Sequence, residues 1–211
     1  MKTYREAGVD IDKKDIFLEK LLNEIKFRRR KFSPAIGIGH YTGLINFGEF
    51  YLALNTDGVG TKMIIADEMK KWDTVAIDAV AMNVNDTICV GAEPVAFVDY
   101  LVIRDYDEKR ARDIGRGLNI AAKISNVSII GGETAVMPDM VNYTDLSGTA
   151  MGIVKKSDVI TGKKIKKNDS IIALKSSGLH SNGFTLVRKL LSEKNVSYHE
   201  KLDKPLWEIL L

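Results

Sequence analysis

Short apolar runs of the strand type alternate along the chain with longer segments of helical periodicity, and this alternation constrains the fold more than any other feature. The pattern predicts helices at 15–31, 61–71, 74–90, 108–124 and 184–191, and strands at 44–47, 50–55, 95–103, 127–130, 148–154 and 170–174. Helices interposed among strands pack together in one α/β architecture. None of the apolar runs approaches the length needed to span a bilayer, so no membrane protein is expected.

A polar and highly charged stretch near residues 155–168 interrupts this alternation. It predicts a boundary between an N-terminal domain of residues 1–160 and the beginning of a C-terminal domain in residues 161–211. The residues beyond the stretch are marginal for an independent core. The chain also ends in an apolar run from Trp207 to Leu211, with nothing after it to pack against. We therefore expect an incomplete second domain, either cut short or completed by another chain.

Charge and cysteine content exclude several classes of function. The formal net charge is +3 over 211 residues, which gives no reason to expect a nucleic-acid-binding protein. The basic cluster at 26–31 is interpreted as the end of the first helix, where cations meet the helix dipole favourably. The single cysteine, Cys89, excludes an internal disulfide framework, and its apolar neighbours favour a buried side chain. The N-terminus is too polar for a signal peptide, so a cytoplasmic protein is expected.

Residues 55–62 read NTDGVGTK and follow an apolar run of the strand type. Two glycines, an acid and a lysine in so short a stretch suit either a plain turn or a place where the backbone approaches a phosphate and its metal ion. The order of residues does not match a P-loop. The nearby segment GIGHYTG at 37–43 also fails the dinucleotide-binding fingerprint, so neither familiar phosphate motif explains these glycines.

Three acids lie among small or amide residues instead of among basic partners. Asp57 follows a predicted strand, Asp86 lies in a helix as part of NVND, and Glu133 follows another strand as part of GGET. Mg²⁺ prefers oxygen ligands and commonly takes a few carboxylates together with polyphosphate oxygens. Two readings stay open: the acids converge on one metal ion, with Lys62 balancing the phosphate charge, or they are ordinary N-caps and turn residues.

A second candidate site is the stretch SSGLHSNGF at 176–184, where a strand is expected to end and a helix to begin. A helix N-terminus flanked by hydroxyl groups and glycine is a good anion-binding site. His180 could donate a proton or orient a leaving group there. The alternative, which also stays open, is that His180 is a turn residue hydrogen-bonded to its own backbone.

Five longer stretches, taken together and in this order, carry a family resemblance. They are YREAGVDID at 4–12, NTDGVGTK at 55–62, DTVAIDAVAMNVNDTICVGAEP at 73–94, GGETAVMP at 131–138 and SSGLHSNGFTLVRK at 176–189. Along nearly its whole length the chain resembles the phosphoribosylformylglycinamidine cyclo-ligase family, also called aminoimidazole ribonucleotide synthetase. This family belongs to the ATP-binding superfamily that includes selenophosphate synthetase.

The resemblance implies an ATP-dependent ring closure in de novo purine biosynthesis. Formylglycinamidine ribonucleotide and ATP, with Mg²⁺, would give 5-aminoimidazole ribonucleotide, ADP and phosphate. Transfer of the γ-phosphoryl group to the formyl amide oxygen would form an iminophosphate, which the amidine nitrogen of the same substrate then attacks. Such a reaction relies on positioning and charge neutralisation more than on reactive side chains.

Residue roles follow from the same resemblance. Asp57, Asp86 and Glu133 would hold the metal ion. The nucleotide would contact Gly37, Gly39, Gly43, Thr56, Asp57, Gly58, Gly60, Thr61, Lys62, Asp86, Gly131, Gly132, Glu133 and Thr134. The substrate would contact Ser176, Ser177, Gly178, His180, Ser181 and Asn182, with His180 and Asp86 as the catalytic groups.

The implied fold is a two-domain α/β subunit, in which a mixed N-terminal sheet with flanking helices joins a second copy to form a dimer-wide barrel. A homodimer is therefore expected, because the barrel hides sheet edges that would otherwise be exposed. Two alternatives stay open. Other ATP-dependent members of the superfamily share this fold, and a chain of this length could instead be a non-catalytic nucleotide-binding or dimerisation module.

Overall fold

The computed structural model describes residues 3–36 and 40–211. The helices are α1 (Ile11–Glu24), α2 (Lys62–Met69), α3 (Asp73–Ile88), α4 (Glu108–Ser125), α5 (Phe184–Glu193) and α6 (Leu206–Leu210), and the strands are β1 (Gly43–Phe47), β2 (Phe50–Gly58), β3 (Glu93–Ile103), β4 (Ser128–Val136) and β5 (Asp145–Lys155). The α/β class that the sequence predicts is confirmed. None of the helices in the described ranges is long and apolar enough to cross a membrane.

The five strands form one mixed sheet in the order β1-β2-β5-β3-β4. β3 and β4 run parallel with α4 as the crossover between them, whereas the other neighbouring strands are antiparallel. β1 and β2 form a hairpin that closes between Phe47 and Phe50, where Gly48 adopts a φ of 59°. β5 lies between β2 and β3 and thereby places these two strands in one part of the sheet.

Helices α3 and α4 cover one face of this sheet and form the main core with it. α3 is apolar on much of its surface because it packs against both the sheet and α4. The two helices approach closely at Gly117, where an added Cβ atom would lie 2.0 Å from the carbonyl oxygen of Asp73. Buried side chains of this core include Val75, Ala79, Phe97, Ile114, Leu118, Leu146 and Ala150.

The opposite face of the sheet, called the open face below, carries apolar side chains that stay partly exposed. Because side chains alternate along a strand, Ala53 faces the helices while Leu54 faces the other way. Leu54 is 43% exposed, and Tyr100, on the same face of β3, is 40% exposed. An apolar surface of this kind suits contact with another protein surface.

The C-terminal part of the chain packs on α2. Ile65, Phe184 and Leu210 form a buried cluster that joins α2, α5 and α6. Leu210, in the apolar run that ends the sequence, thus packs on earlier parts of the chain. The predicted strand at 170–174 is wrong, because it pairs with none of the strands in the described part of the chain, and its side chains reach solvent, Ile171 being 96% exposed.

Three further expectations are corrected at the ends of elements. α1 begins after Asp10, whose carboxylate accepts a hydrogen bond from Lys13 N–H, and it ends at Glu24, so the basic cluster lies beyond the helix. β4 extends to Val136, so the GGET stretch lies within a strand instead of after one. Cys89 is exposed, because it follows the last residue of α3 at the surface.

Candidate functional site

Asp57, next to the end of β2, and Asp86, in the last turn of α3, lie near enough for their charges to interact. Asp57 is exposed, and its Oδ1 atom accepts a 2.8 Å hydrogen bond from the backbone N–H of Gly58. Asp86 is half-buried. Burial raises the pKa of its carboxyl, and the negative charge of Asp57 raises that pKa further. The structure therefore brings two of the three predicted acids together.

Two carboxylates that repel each other suit a hard divalent cation, because the ion removes the repulsion. Within the described ranges, neither Asp57 nor Asp86 forms an ion pair with a lysine or arginine. The same ranges contain no group of three or more His, Cys, Asp or Glu side chains that could hold a metal ion by themselves. A metal ion at these two acids would thus need further oxygen ligands, such as those of a bound phosphate.

Glu133 does not lie with the other two acids. Its neighbours in register across the sheet are Tyr100, Ser147 and Gly58. Its side chain therefore points to the open face, opposite that of Asp57. β4 is also three strand spacings of about 4.8 Å from β2, roughly 14 Å in all. The expectation of a three-acid cluster is therefore wrong for a single chain: Asp57 and Asp86 lie near one another, whereas Glu133 points to the opposite face of the sheet.

Asp99, which belongs to none of the motifs recognised in the sequence, lies on the same face of the sheet as Asp57. Gly148 is paired with both residues and lies between them. Burial raises the pKa of the Asp99 carboxyl. Gly132 leaves room for this side chain, because an added Cβ atom there would lie 2.3 Å from Asp99 Oδ1. The available signal was a single acid inside the apolar run at 95–103.

The glycine-rich segment GIGHYTG ends beside Asp86. Thr42 is fully buried, and its hydroxyl donates a 2.6 Å hydrogen bond to the backbone carbonyl of Asp86. Gly43 begins β1 directly after it. Gly37 and Gly39, which are predicted to contact the nucleotide, lie outside the described residues. The end of the segment is thus held next to the acid pair.

Lys62 is buried inside the protein instead of reaching solvent near the two acids. It is 3% exposed, its Nζ atom lies 2.6 Å from Asp78 Oδ2, and it donates a 2.9 Å hydrogen bond to the carbonyl of His180. The ammonium group also lies 5.3 Å from the ring centroid of Phe184. Burial raises the pKa of Asp78, although Lys62 opposes this shift. Lys62 thus connects α2 and α3 to the loop that carries His180.

The predicted substrate loop, residues 176–183, surrounds the carbonyl that Lys62 binds. The hydroxyl groups of Ser176 and Ser177 each lie 3.2 Å from His180 Nε2. Ser181 lies close enough to Asp78 to lower the pKa of that carboxyl, so the loop influences the buried ion pair from both His180 and Ser181. The remaining predicted contacts in this loop, Gly178 and Asn182, are exposed.

A cavity of about 500 Å³ lies beside this loop. Its lining includes Lys62, Asp78, Ser177, His180 and Lys204. The lining also includes the carboxyl groups of Asp203 and Glu208, so this space offers hydroxyl, imidazole, ammonium and carboxylate groups to a polar small molecule. The predicted substrate residues therefore border a space large enough for a ligand.

The other predicted nucleotide-binding residues are spread over the sheet. Those on the open face are Thr56, Gly58, Gly131 and Glu133, and those on the helix-covered face are Asp57, Gly132 and Thr134. Gly60, with a φ of 67°, and Thr61 form the turn into α2. The hydroxyl of Thr61 lies 2.9 Å from that of Thr185, beside the start of α5. These residues do not form one continuous patch within a single chain.

Solved structures of other proteins share this fold. One is AaThiL complexed with AMPPCP and TMP, with a TM-score of 0.52 and 17% identity over 74% of this chain and 44% of that chain. Another is T. maritima PurL complexed with ADP, with a TM-score of 0.50 and 18% identity over 65% of this chain and 22% of that chain. These similarities place the chain in one α/β fold class with both proteins.

Sequence similarity shows the family. The family described as AIR synthase related protein, N-terminal domain, matches residues 39–154, and the chain belongs to it. The phosphoribosylformylglycinamidine cyclo-ligase of Thermococcus kodakarensis is 52% identical over 100% of this chain, which spans 65% of that relative. The cyclo-ligase of Methanosarcina acetivorans is 50% identical over 94% of this chain, with 60% of its own length covered. The resemblance that the five motifs carry is thereby confirmed.

Proposed function

We propose that the protein closes the imidazole ring of 5-aminoimidazole ribonucleotide, converting formylglycinamidine ribonucleotide and ATP into that product, ADP and phosphate. The observation that carries the proposal is the 52% identity to the Thermococcus kodakarensis cyclo-ligase over the whole of this chain. The AMPPCP and ADP complexes of proteins with the same fold support the use of a nucleotide.

The acid pair is the proposed site for Mg²⁺. Asp57 and Asp86 would hold the ion together with phosphate oxygens of ATP, since two carboxylates without a basic partner supply part of the ligand set that Mg²⁺ takes. When bound, the ion would neutralise charge on the transferring phosphoryl group. The raised pKa of Asp86 supports this role, because a cation beside both acids removes the repulsion that contributes to it.

The loop at 176–183 is the proposed substrate site. Phosphorylation of the formyl amide oxygen makes that oxygen a good leaving group, and the amidine nitrogen then closes the ring. The His180 imidazole, which lies within 3.2 Å of two serine hydroxyls, would orient the substrate or move a proton there. Lys62 would act by holding this loop in place, since its ammonium group is buried against Asp78.

The direct test is to incubate the purified protein with MgATP and formylglycinamidine ribonucleotide and to measure ADP and the aminoimidazole product together. We expect both products in equal amounts, and neither product without Mg²⁺. Equal amounts distinguish ring closure from unproductive ATP hydrolysis. ADP without the aminoimidazole product, or ring closure that needs no ATP, would contradict the proposed reaction.

A second candidate function is a nucleotide-binding and dimerisation module without turnover. The chain spans 65% of the length of its Thermococcus kodakarensis relative, and residues 161–211 would then be the beginning of a C-terminal domain. The apolar side chains at 170–174 are exposed, as this candidate expects if they pack on another part of such a domain. This function predicts that the same incubation gives nucleotide binding without product.

The proposed quaternary structure is a homodimer joined through the open face of the sheet. Leu54 and Tyr100 expose apolar surface there, and a barrel formed with a second copy would cover it. The same contact would pair sheet edges that are otherwise exposed.

Replacing Leu54 with glutamate should convert the dimer into a monomer, because the interface would have to bury an unpaired carboxylate from each copy. Sedimentation equilibrium measures the molar mass of each variant. The control is Ile124→Glu, which adds the same charge at an exposed isoleucine of α4, in the helical layer, and should stay dimeric. A monomeric wild-type protein, or a dimeric Leu54→Glu variant, would rule out this interface.

A further inference from the structure

β2 continues past the end of its neighbour β1. β1 begins at Gly43, which is paired with Leu54, so no residue of β1 lies opposite β2 at Asp57. At that position the side chain of Asn83, on α3, takes the place of a strand. Its Oδ1 atom accepts a 3.0 Å hydrogen bond from Asp57 N–H, and its Nδ2 atom donates a 3.2 Å hydrogen bond to the Asp57 carbonyl. One carboxamide thus binds both backbone polar groups of the acid.

Asn83 is fully buried, and each polar atom of its carboxamide has a second partner. Nδ2 also donates a 2.8 Å hydrogen bond to the carbonyl of Ala79, and Oδ1 also accepts a 3.2 Å hydrogen bond from Asn55 Nδ2. Thr87, one turn further along α3, donates a 2.7 Å hydrogen bond to Asn55 Oδ1. Four contacts on two atoms hold the carboxamide in one orientation.

The same helix carries Asp86 three residues after Asn83. Because the helix is rigid between these residues, a side chain that fixes Asp57 to α3 also fixes the separation of Asp57 and Asp86. Carboxylates that share a cation need a defined separation, since the ion accepts oxygens only within a narrow range of distances. An aspartate at position 83 would lack the donor for this contact, and a leucine would lack both donor and acceptor.

We propose that Asn83 is a positioning residue for the metal-bound nucleotide. By binding the backbone of Asp57, it sets the Asp57 carboxylate at the correct distance from Asp86, although it touches neither the ion nor the nucleotide. This inference rests on the proposed function, because it requires Mg²⁺ and a nucleotide at these two acids. The sequence gives no sign of the role, since Asn83 stands in the polar stretch NVND, and residue type alone does not show that its side chain is buried against Asp57.

The test compares ADP binding with Mg²⁺ and with a chelator, by calorimetry, in the wild-type protein and in Asn83→Leu. The dissociation constant with the chelator, divided by the dissociation constant with Mg²⁺, measures how much the metal ion strengthens ADP binding. Loss of a group that orients a metal ligand typically weakens the metal-dependent part by about 10–100-fold. We expect Asn83→Leu to lower the ratio by about 10-fold or more, while metal-free ADP binds almost unchanged.

Thr87→Val is the matched control, because it changes the same buried network without touching Asp57. Its ratio should equal that of the wild-type protein. Asn83→Ser serves the same comparison should Asn83→Leu not fold, since a serine hydroxyl cannot reach both backbone groups of Asp57. Melting by circular dichroism identifies the folded variants.

The outcomes separate this inference from the proposed function. If Asn83→Leu and Asn83→Ser both have the same ratio as the wild-type protein, the role of Asn83 is overturned, whereas the proposed function is not. If the variants weaken ADP binding equally with and without Mg²⁺, the role of Asn83 is also overturned, because that result indicates general structural damage. If the wild-type protein binds ADP equally well with Mg²⁺ and with the chelator, both the proposed metal site and this inference are overturned.

Discussion

Asp57→Asn is expected to lower MgATP-dependent turnover by about 100-fold or more while the protein stays folded. The substitution removes one of the two carboxylate charges at the proposed metal site, but keeps the Oδ1 acceptor for Gly58 N–H. Because Asp57 is exposed, the free energy of unfolding should change by about 0.5 kcal/mol or less. ADP release at saturating Mg²⁺ measures the first effect, and urea unfolding measures the second.

The same variant should lower the pKa of the Asp86 carboxyl towards its ordinary value. Burial is the larger cause that raises this pKa, and the charge of Asp57 is the second, so burial alone remains in the variant. Titration of the carboxyl carbon by NMR measures the change. Asp139→Asn, at an exposed acid in the turn after β4, is the control and should alter neither turnover nor the Asp86 pKa. Full turnover in Asp57→Asn would remove Asp57 from the proposed mechanism.

The regular elements could be predicted because their signals are local. The sequence predicts a helix at 108–124 and α4 spans Glu108–Ser125, since its apolar residues recur at helical spacing and Asp107 caps its first turn. The apolar run at 95–103 likewise predicts a strand there, and β3 spans Glu93–Ile103. The periodicity of an element reports which side is buried, whichever element packs on it.

The expectations that are wrong depend on contacts between elements, which are not local. Residues 170–174 have the composition of a strand, but a strand also needs a neighbour to pair with, and none of the described strands lies there. The face of Glu133 depends on the register of β4, which shifts at a bulge beside Phe97 and Val98. A shift of one residue reverses the face of every later side chain, so the composition of GGET could not show where Glu133 points.

In the candidate site, too, local features could be predicted and contacts between elements could not. Its acids and glycines were recognisable by residue type, but the groups that hold them were not. No motif in the sequence distinguishes Asn83, although its side chain binds the Asp57 backbone. Lys62 belongs to the NTDGVGTK stretch, whereas its partners are Asp78 on α3 and a carbonyl 118 residues away in sequence. Such partners are defined by the tertiary fold alone.

Replacing Lys62 with methionine is expected to destabilise the protein by about 3 kcal/mol at pH 8. The variant leaves the Asp78 carboxylate in a largely buried site, without the ammonium group that lies 2.6 Å away. It also removes the hydrogen bond to the carbonyl of His180, so the 176–183 loop should lose its attachment to α2. Urea unfolding measures the stability, and hydrogen exchange of the loop amides measures the attachment.

The loss of stability should shrink as the pH falls. Burial already raises the pKa of Asp78, and Lys62 is the largest influence that opposes the shift. Without Lys62 that pKa rises further above its value in the unfolded chain, so the folded variant takes up a proton at a higher pH than the wild-type protein does. Below the unfolded pKa of about 4, Asp78 is neutral in both proteins, and the charge contribution to the difference disappears.

Two further variants separate this explanation from general damage to the core. Lys62→Met combined with Asp78→Asn should recover much of the stability, because no unpaired charge remains buried, and the recovery measures the coupling between the two groups. Lys71→Met removes a more exposed ion pair, in which Nζ lies 2.9 Å from Asp73 Oδ1, and should cost about 1 kcal/mol or less. If the effects of Lys62→Met and Asp78→Asn on the free energy of unfolding are strictly additive, or if the loss of stability in Lys62→Met does not vary with pH, Lys62 contributes through packing alone. The loop would then be held by the burial of Phe184 against α2, and not by the ion pair.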